Sequence, residues 1–64
     1  MYCLAKAQFN YYVYGESNKV KTFLEGNYNI EWNLQFFSSK SSLLKDVQTI
    51  NVGSDTKIVN LFDS

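Results

Sequence analysis

The stretch that decides the fold is residues 27–37, NYNIEWNLQFF, in which apolar and polar side chains alternate. A period of two residues places the apolar side chains on one face of an extended strand, and aromatic and β-branched residues favour that conformation. The apolar members of the alternation are Tyr28, Ile30, Trp32, Leu34 and Phe36. The sequence therefore predicts a β-strand over residues 27–37.

Two further stretches alternate in the same way, and they lead back from this strand to the start of the chain. Residues 2–14 predict one long strand, residues 15–18 (GESN) a turn by composition, and residues 19–24 a second strand. A four-residue loop followed by a three-residue loop keeps the apolar faces of all three strands together. We therefore predict a three-stranded antiparallel meander with the cross-sheet rows Phe9–Leu24–Tyr28, Tyr11–Thr22–Ile30 and Val13–Val20–Trp32.

The meander leaves two strand ends without a neighbour. Residues 2–7 of the first strand and residues 34–37 of the third extend past the second, shorter strand. An unpaired strand end is prone to aggregation, so we expect some other segment to pair with or cover each of them.

The C-terminal part of the chain is harder to interpret. Residues 38–42 (SSKSS) form a polar break, and Ser41 or Ser42 can cap a short helix. Residues 47–52 and 57–62 resemble two strands joined by residues 53–56, so we expect a C-terminal β-hairpin.

These elements predict a single small domain, residues 1–64, of the mainly β class. A meander followed by a C-terminal β-hairpin is compatible with a small OB-like or SH3-like barrel. The alternative is an α+β fold in which a short helix near residues 39–48 packs on the sheet. The small side chains of Cys3, Ala5 and Ala7 would leave room for a helix there. No motif in the chain resembles that of a known family.

The composition excludes most catalytic machinery. The 64 residues contain six lysines and six acidic residues, a formal net charge of zero, and no histidine or arginine. A Ser-His or Cys-His nucleophile is therefore impossible, and no convincing pair of carboxylates or metal-ligand cluster is present. We expect a protein that is not an enzyme, with no catalytic residues, no metal and no cofactor.

Location is inferred from the single cysteine and from hydropathy. Cys3 alone cannot form an internal disulfide, which favours a reducing compartment, and no apolar run is long enough to span a membrane. We therefore expect a cytoplasmic protein without a membrane partner. The chain is rich in lysine, asparagine, tyrosine and phenylalanine and has no arginine, a composition typical of genes with AT-rich codons. This composition is compatible with a viral or phage origin, in which case the location would be the host cytoplasm.

One predicted surface carries aromatic and basic side chains together. On the outer face of the first predicted hairpin we expect a binding site made of Tyr12, Tyr14, Lys19, Lys21 and Phe23. Aromatics rimmed by charge are typical of protein–protein interfaces, and aromatics with lysines also bind single-stranded nucleic acid. Zero net charge disfavours nucleic acid, because phosphate neutralisation supplies most of that affinity. The leading hypothesis is thus a small binding protein that occludes a protein partner, such as a viral or phage accessory inhibitor. A single-stranded nucleic-acid-binding β-barrel is the alternative.

The C-terminal hairpin also predicts self-association. Its two faces both carry apolar side chains, and a thin core can cover only one of them. We therefore expect a homodimer whose interface contains Val47, Ile58 and Phe62.

Overall fold

The computed structural model describes residues 1–8, 10–26, 31–50 and 52–62. The chain begins with an antiparallel hairpin of two strands, β1 (Tyr2–Ala7) and β2 (Tyr11–Glu16). Asn10, in the turn, has a φ of 58°, a left-handed conformation that asparagine tolerates better than most residues. The prediction of one strand over residues 2–14 is therefore wrong, because the chain reverses direction within it.

A helix, α1 (Ser17–Gly26), follows β2 without an intervening loop. The predicted turn at residues 15–18 and the predicted strand at residues 19–24 are therefore both wrong. Val20, Phe23 and Leu24 are spaced at i, i+3 and i+4, so they share one side of a helix and pack together on the sheet. The three predicted cross-sheet rows fail with the meander, and their members Phe9, Tyr28 and Ile30 lie outside the described residues.

The strand predicted from NYNIEWNLQFF is confirmed over β3 (Trp32–Phe37), while residues 27–30 lie outside the described part. Its partner is β1, in an antiparallel register that runs from Tyr2 opposite Phe37 to Ala7 opposite Trp32. The two strand ends that the meander left without a neighbour are thus paired with each other.

A second helix, α2 (Lys40–Gln48), confirms the helix of the α+β alternative. Its N-cap is Ser39 rather than the predicted Ser41 or Ser42, and the Ser39 hydroxyl oxygen accepts a 3.2 Å hydrogen bond from the Ser42 backbone N–H. The last strand, β4 (Lys57–Asn60), runs parallel to β2. The predicted C-terminal hairpin is wrong, because residues 47–48 belong to α2.

The four strands form one open mixed sheet in the order β3-β1-β2-β4, with a helix on each side. On the α1 face, Cys3, Ala5 and Val13 pack against Val20; the small side chains of β1 do leave room for a helix, and that helix is α1. On the α2 face, Leu4 and Tyr14 pack against Leu43. The sheet does not close, so the barrel prediction is wrong and the α+β alternative is correct. In the described residues, no helix is long and apolar enough to cross a membrane.

Candidate functional site

The five residues predicted to form one binding surface are divided between the two sides of the sheet. Tyr14 is buried and Tyr12 is half-buried on the α2 face, whereas Phe23 packs on the α1 face. Lys19 and Lys21 lie exposed on α1. The expected surface required residues 19–24 to be a strand beside β2, and their helical conformation moves them away from the tyrosines.

The residues predicted to form a dimer interface pack within the chain instead. Val47, Ile58 and Phe62 are half-buried and belong to the apolar cluster of the α2 face. The Phe62 ring centroid lies 5.8 Å from that of Tyr2 and 6.0 Å from that of Tyr14. The rationale for that interface, a hairpin with one uncovered face, is therefore absent, and a homodimer remains a prediction.

The largest exposed apolar side chains within a strand are on β3. Its four central residues, 33–36, are all exposed; Leu34 retains 42% of its residue accessible surface and Phe36 retains 45%. Both lie on the α1 face, because they are paired with Ala5 and Cys3 of β1. In the described part of the chain β3 has β1 as its only neighbour in the sheet, so its outer edge offers unpaired backbone N–H and C=O groups.

Two groups border the apolar strip formed by Leu34 and Phe36. The Lys21 Nζ atom lies 5.6 Å from the centroid of the Phe36 ring, close enough for a cation–π interaction. Beside the strip, on β1, Cys3 is paired with Phe36 and is fully buried. Burial raises the pKa of the Cys3 thiol, against smaller opposing effects of Lys21 and the Gln35 backbone. A buried, protonated thiol is a poor nucleophile, so this strip offers contact area rather than chemistry.

The other side of β3 borders a polar groove of about 720 Å³, which we call the α2-face groove. Its floor is formed by three residues that are paired across β3, β1 and β2, namely Asn33, Lys6 and Tyr12. Gln35, two residues after Asn33 on β3, also lines the groove. Its wall is the C-terminal end of α2, where Asp46, Thr49 and Ile50 line it. The groove thus combines one lysine, one carboxylate and several neutral amides at the edge of the sheet.

Metal binding has no support in the described residues, where no three cysteine or acidic side chains are grouped closely enough to hold an ion. No protein-family model matches the chain, and the searches of curated proteins and of solved structures found no match. The geometry of the β3 edge and of the α2-face groove is therefore the basis for a functional proposal.

Sequence reasoning placed Leu34 and Phe36 on the core face of a strand and so missed this edge. One signal was present: the six residues WNLQFF contain no charge and no proline, and residues 34–37 had no predicted neighbour. Natural proteins commonly protect an edge strand with charged residues or proline. A strand without them has an edge that is available for pairing with another strand.

Proposed function

We propose that this protein is a non-enzymatic binding protein that occludes a protein partner by adding an extended segment of that partner to the outer edge of β3. Backbone hydrogen bonds along the edge would supply affinity, and alternate side chains would supply specificity, as in other cases of strand addition. The partner segment could not then engage its other ligands.

The observation that carries this proposal is the exposure of β3 on both sides along its central residues, 33–36. Leu34 and Phe36 offer an apolar strip that a partner side chain can cover, while the strand itself carries no charge that would repel another strand. An edge of six residues is as long as an average strand, which is enough for a full set of ladder hydrogen bonds.

Charge favours a foreign segment over a second copy of this chain as the occupant. In the antiparallel register centred on Leu34, which keeps the apolar strips of both strands on the α1 face, a second β3 would place only the neutral amides of Asn33 and Gln35 beside the α2-face groove. The groove's lysine, Lys6, and carboxylate, Asp46, would then gain no charged partner. A segment from another protein can supply both charges.

The nucleic-acid alternative loses its main support. It depended on exposed tyrosines beside lysines, and the structure buries Tyr14 and half-buries Tyr12 in the α2-face cluster. An exposed aromatic still lies beside a lysine at Phe36 and Lys21, but the chain has no net positive charge with which to bind a phosphate backbone.

Site-specific photo-crosslinking in the native host tests the proposal. A photoreactive residue at position 34 should crosslink one protein, identified by mass spectrometry, within an extended segment of its sequence. The control is the same residue at position 52, because Val52 is 72% exposed but lies outside the sheet.

Hydrogen exchange with the purified partner then locates the contact. Binding should slow exchange at alternate amides of β3, because only every second N–H of an edge strand points outward. Protection confined to α1 or β4 would contradict the proposal. So would crosslinks that join only copies of this chain, or nucleic acid that competes for the same amides.

A further inference from the structure

We infer that the α2-face groove selects the partner segment by charge: an acidic side chain opposite Asn33 meets Lys6, and a basic side chain opposite Gln35 meets Asp46. This inference rests on the proposed strand addition at β3 and specifies which segment that edge accepts.

The row of paired residues explains how Lys6 reaches the docked segment. Asn33 is paired with Lys6, so a docked residue opposite Asn33 continues the row Asn33–Lys6–Tyr12 outward by one strand. Neighbouring strands are about 4.8 Å apart, which puts the docked backbone about 10 Å from that of Lys6. A lysine and a glutamate on the same face can span that distance over the short asparagine between them.

The charges of the groove have no ion-pair partner in the described residues. The Lys6 ammonium lies 5.8 Å from the centroid of the Tyr12 ring, and no described carboxylate lies within 4.0 Å of it. The Asp46 carboxylate, on half-buried Asp46, likewise has no described cation within that distance. Two opposite charges that line one groove without pairing with each other favour a ligand that carries both signs.

The residues that line the groove set the order of those signs. Asn33 and Gln35 are the β3 residues of the α2 face that line it together with Asp46. Because a docked residue opposite Asn33 stands in the row of Lys6, a docked residue opposite Gln35 is the one left to meet Asp46. On the other side of the docked strand, residues opposite Leu34 and Phe36 contact the apolar strip. For an antiparallel segment, the expected order is apolar, basic, apolar, acidic, apolar.

Two synthetic peptides test this order against the full-length protein. The charged peptide is acetyl-Thr-Val-Lys-Val-Glu-Val-Thr-amide, and the neutral control replaces its lysine and glutamate by glutamine. Titration followed by amide NMR shifts of β3 should give tighter binding of the charged peptide by about threefold to fivefold at low salt. The advantage should shrink in about 0.5 M salt, where the Debye length is short.

Protein variants separate the charge effect from docking itself. Lys6→Gln and Asp46→Asn should each reduce the advantage of the charged peptide and leave the neutral peptide's affinity unchanged, while Lys6→Arg should preserve the advantage. Circular dichroism melting checks that each variant folds.

Equal binding of both peptides to β3 would overturn the charge selection and leave strand addition intact. If neither peptide shifts the β3 amides at about 5 mM, a concentration at which even weak binding is visible, the docking on which the inference rests is contradicted as well.

Discussion

The two edges of the sheet carry related residues in different surroundings. Leu34 of β3 and Val59 of β4 stand at opposite ends of one row of paired residues, Leu34–Ala5–Val13–Val59, on the α1 face. Val59 is half-buried against the α1-face cluster, whereas Leu34 is exposed. The apolar side chain of Val59, on β4, thus contributes to the core, whereas the similar side chain of Leu34, on β3, contributes to the surface.

Strand β4 is short, and the apolar side chains on its two faces, Ile58 and Val59, are half-buried. Its four residues begin with the exposed Lys57, its Ile58 packs on the α2 face, and its far end is anchored where the Leu61 N–H donates a 2.9 Å hydrogen bond to the Tyr14 carbonyl. Strand β3 carries no charged residue, and its central residues have no comparable cover from the residues that the structure describes. The difference indicates that the side chains of β4 contribute to the core, whereas those at the centre of β3 contribute to the surface.

The largest expected effect comes from placing a lysine at a half-buried position of β4. Val59→Lys should lower the free energy of unfolding by about 3 kcal/mol, because an ammonium replaces a half-buried valine and loses hydration or disrupts packing. Urea denaturation followed by circular dichroism measures the loss. A variant with the parent midpoint would show that β4 is as exposed as β3.

The attachment of β4 can also be disturbed from β2. Gly15 is buried with a φ of 157°, and a Cβ atom built there would lie 2.9 Å from the Leu61 Cβ atom. Gly15→Ala should therefore cost about 1–3 kcal/mol, through overpacking against Leu61 and through a φ that L side chains rarely adopt.

Gly53→Ala is the matched control for that substitution. The nearest atom to a Cβ at Gly53 is the Thr56 Oγ1, at 4.0 Å, so this change should be nearly neutral. Equal unfolding midpoints for the two alanine variants would show that Leu61 moves aside at little cost.

The pH dependence of stability reports on the buried side of the β3 strip. Because burial raises the pKa of the Cys3 thiol above 9.0, the folded state retains the proton to a higher pH than the unfolded state does. This contribution to stability is complete below pH 9.0 and is lost as the pH rises through the folded-state pKa. The free energy of unfolding should fall more steeply above pH 9.0 in the parent than in Cys3→Ala, as measured by urea denaturation. Parallel curves would indicate that the thiol is solvated.

The smallest effect on stability should come from a lysine at the open edge. Leu34→Lys should change the free energy of unfolding by no more than about 0.5 kcal/mol, because the side chain is already exposed. The same variant should weaken partner binding at least about tenfold, through lost apolar contact and a charge on the edge. Calorimetric titration with the identified partner measures the binding; unchanged affinity would exclude β3 as the contact.

The alternation of apolar and polar residues predicted the strand β3 correctly, but it also predicted a strand over residues 19–24, which belong to α1. The error arises because the alternating segment 19–24 is short. In residues 19–24, Val20, Thr22 and Leu24 fit a period of two, while Val20, Phe23 and Leu24 fit a helix. Six residues do not separate these periods. The choice is made by packing against the small side chains of β1, which is a tertiary contact.

The candidate site was only partly predictable for a similar reason. The sequence shows that WNLQFF carries no charge, and it led us to expect that residues 34–37 pair with another segment. In the structure that segment is β1. Which edge stays open depends on the strand order β3-β1-β2-β4, set by contacts far apart in the chain. The chain reverses direction near Asn10, and the only local signal for this turn is that asparagine. As a result β2 pairs with one edge of β1, β3 pairs with the other edge, and β3 lies at the end of the sheet.

The placement of the α1-face core has a consequence for folding kinetics. Its fully buried members, Cys3, Ala5, Val13 and Val20, all belong to the first 20 residues of the chain. The β1–β2 hairpin and α1 can therefore form a nucleus by closing short loops, whereas β3 must close a long one to reach β1. If β3 docks after the transition state, Val13→Ala should slow folding, whereas Leu34→Ala should leave the folding rate unchanged. During synthesis, the edge that we propose binds a partner would then be ordered later than the β1–β2 hairpin.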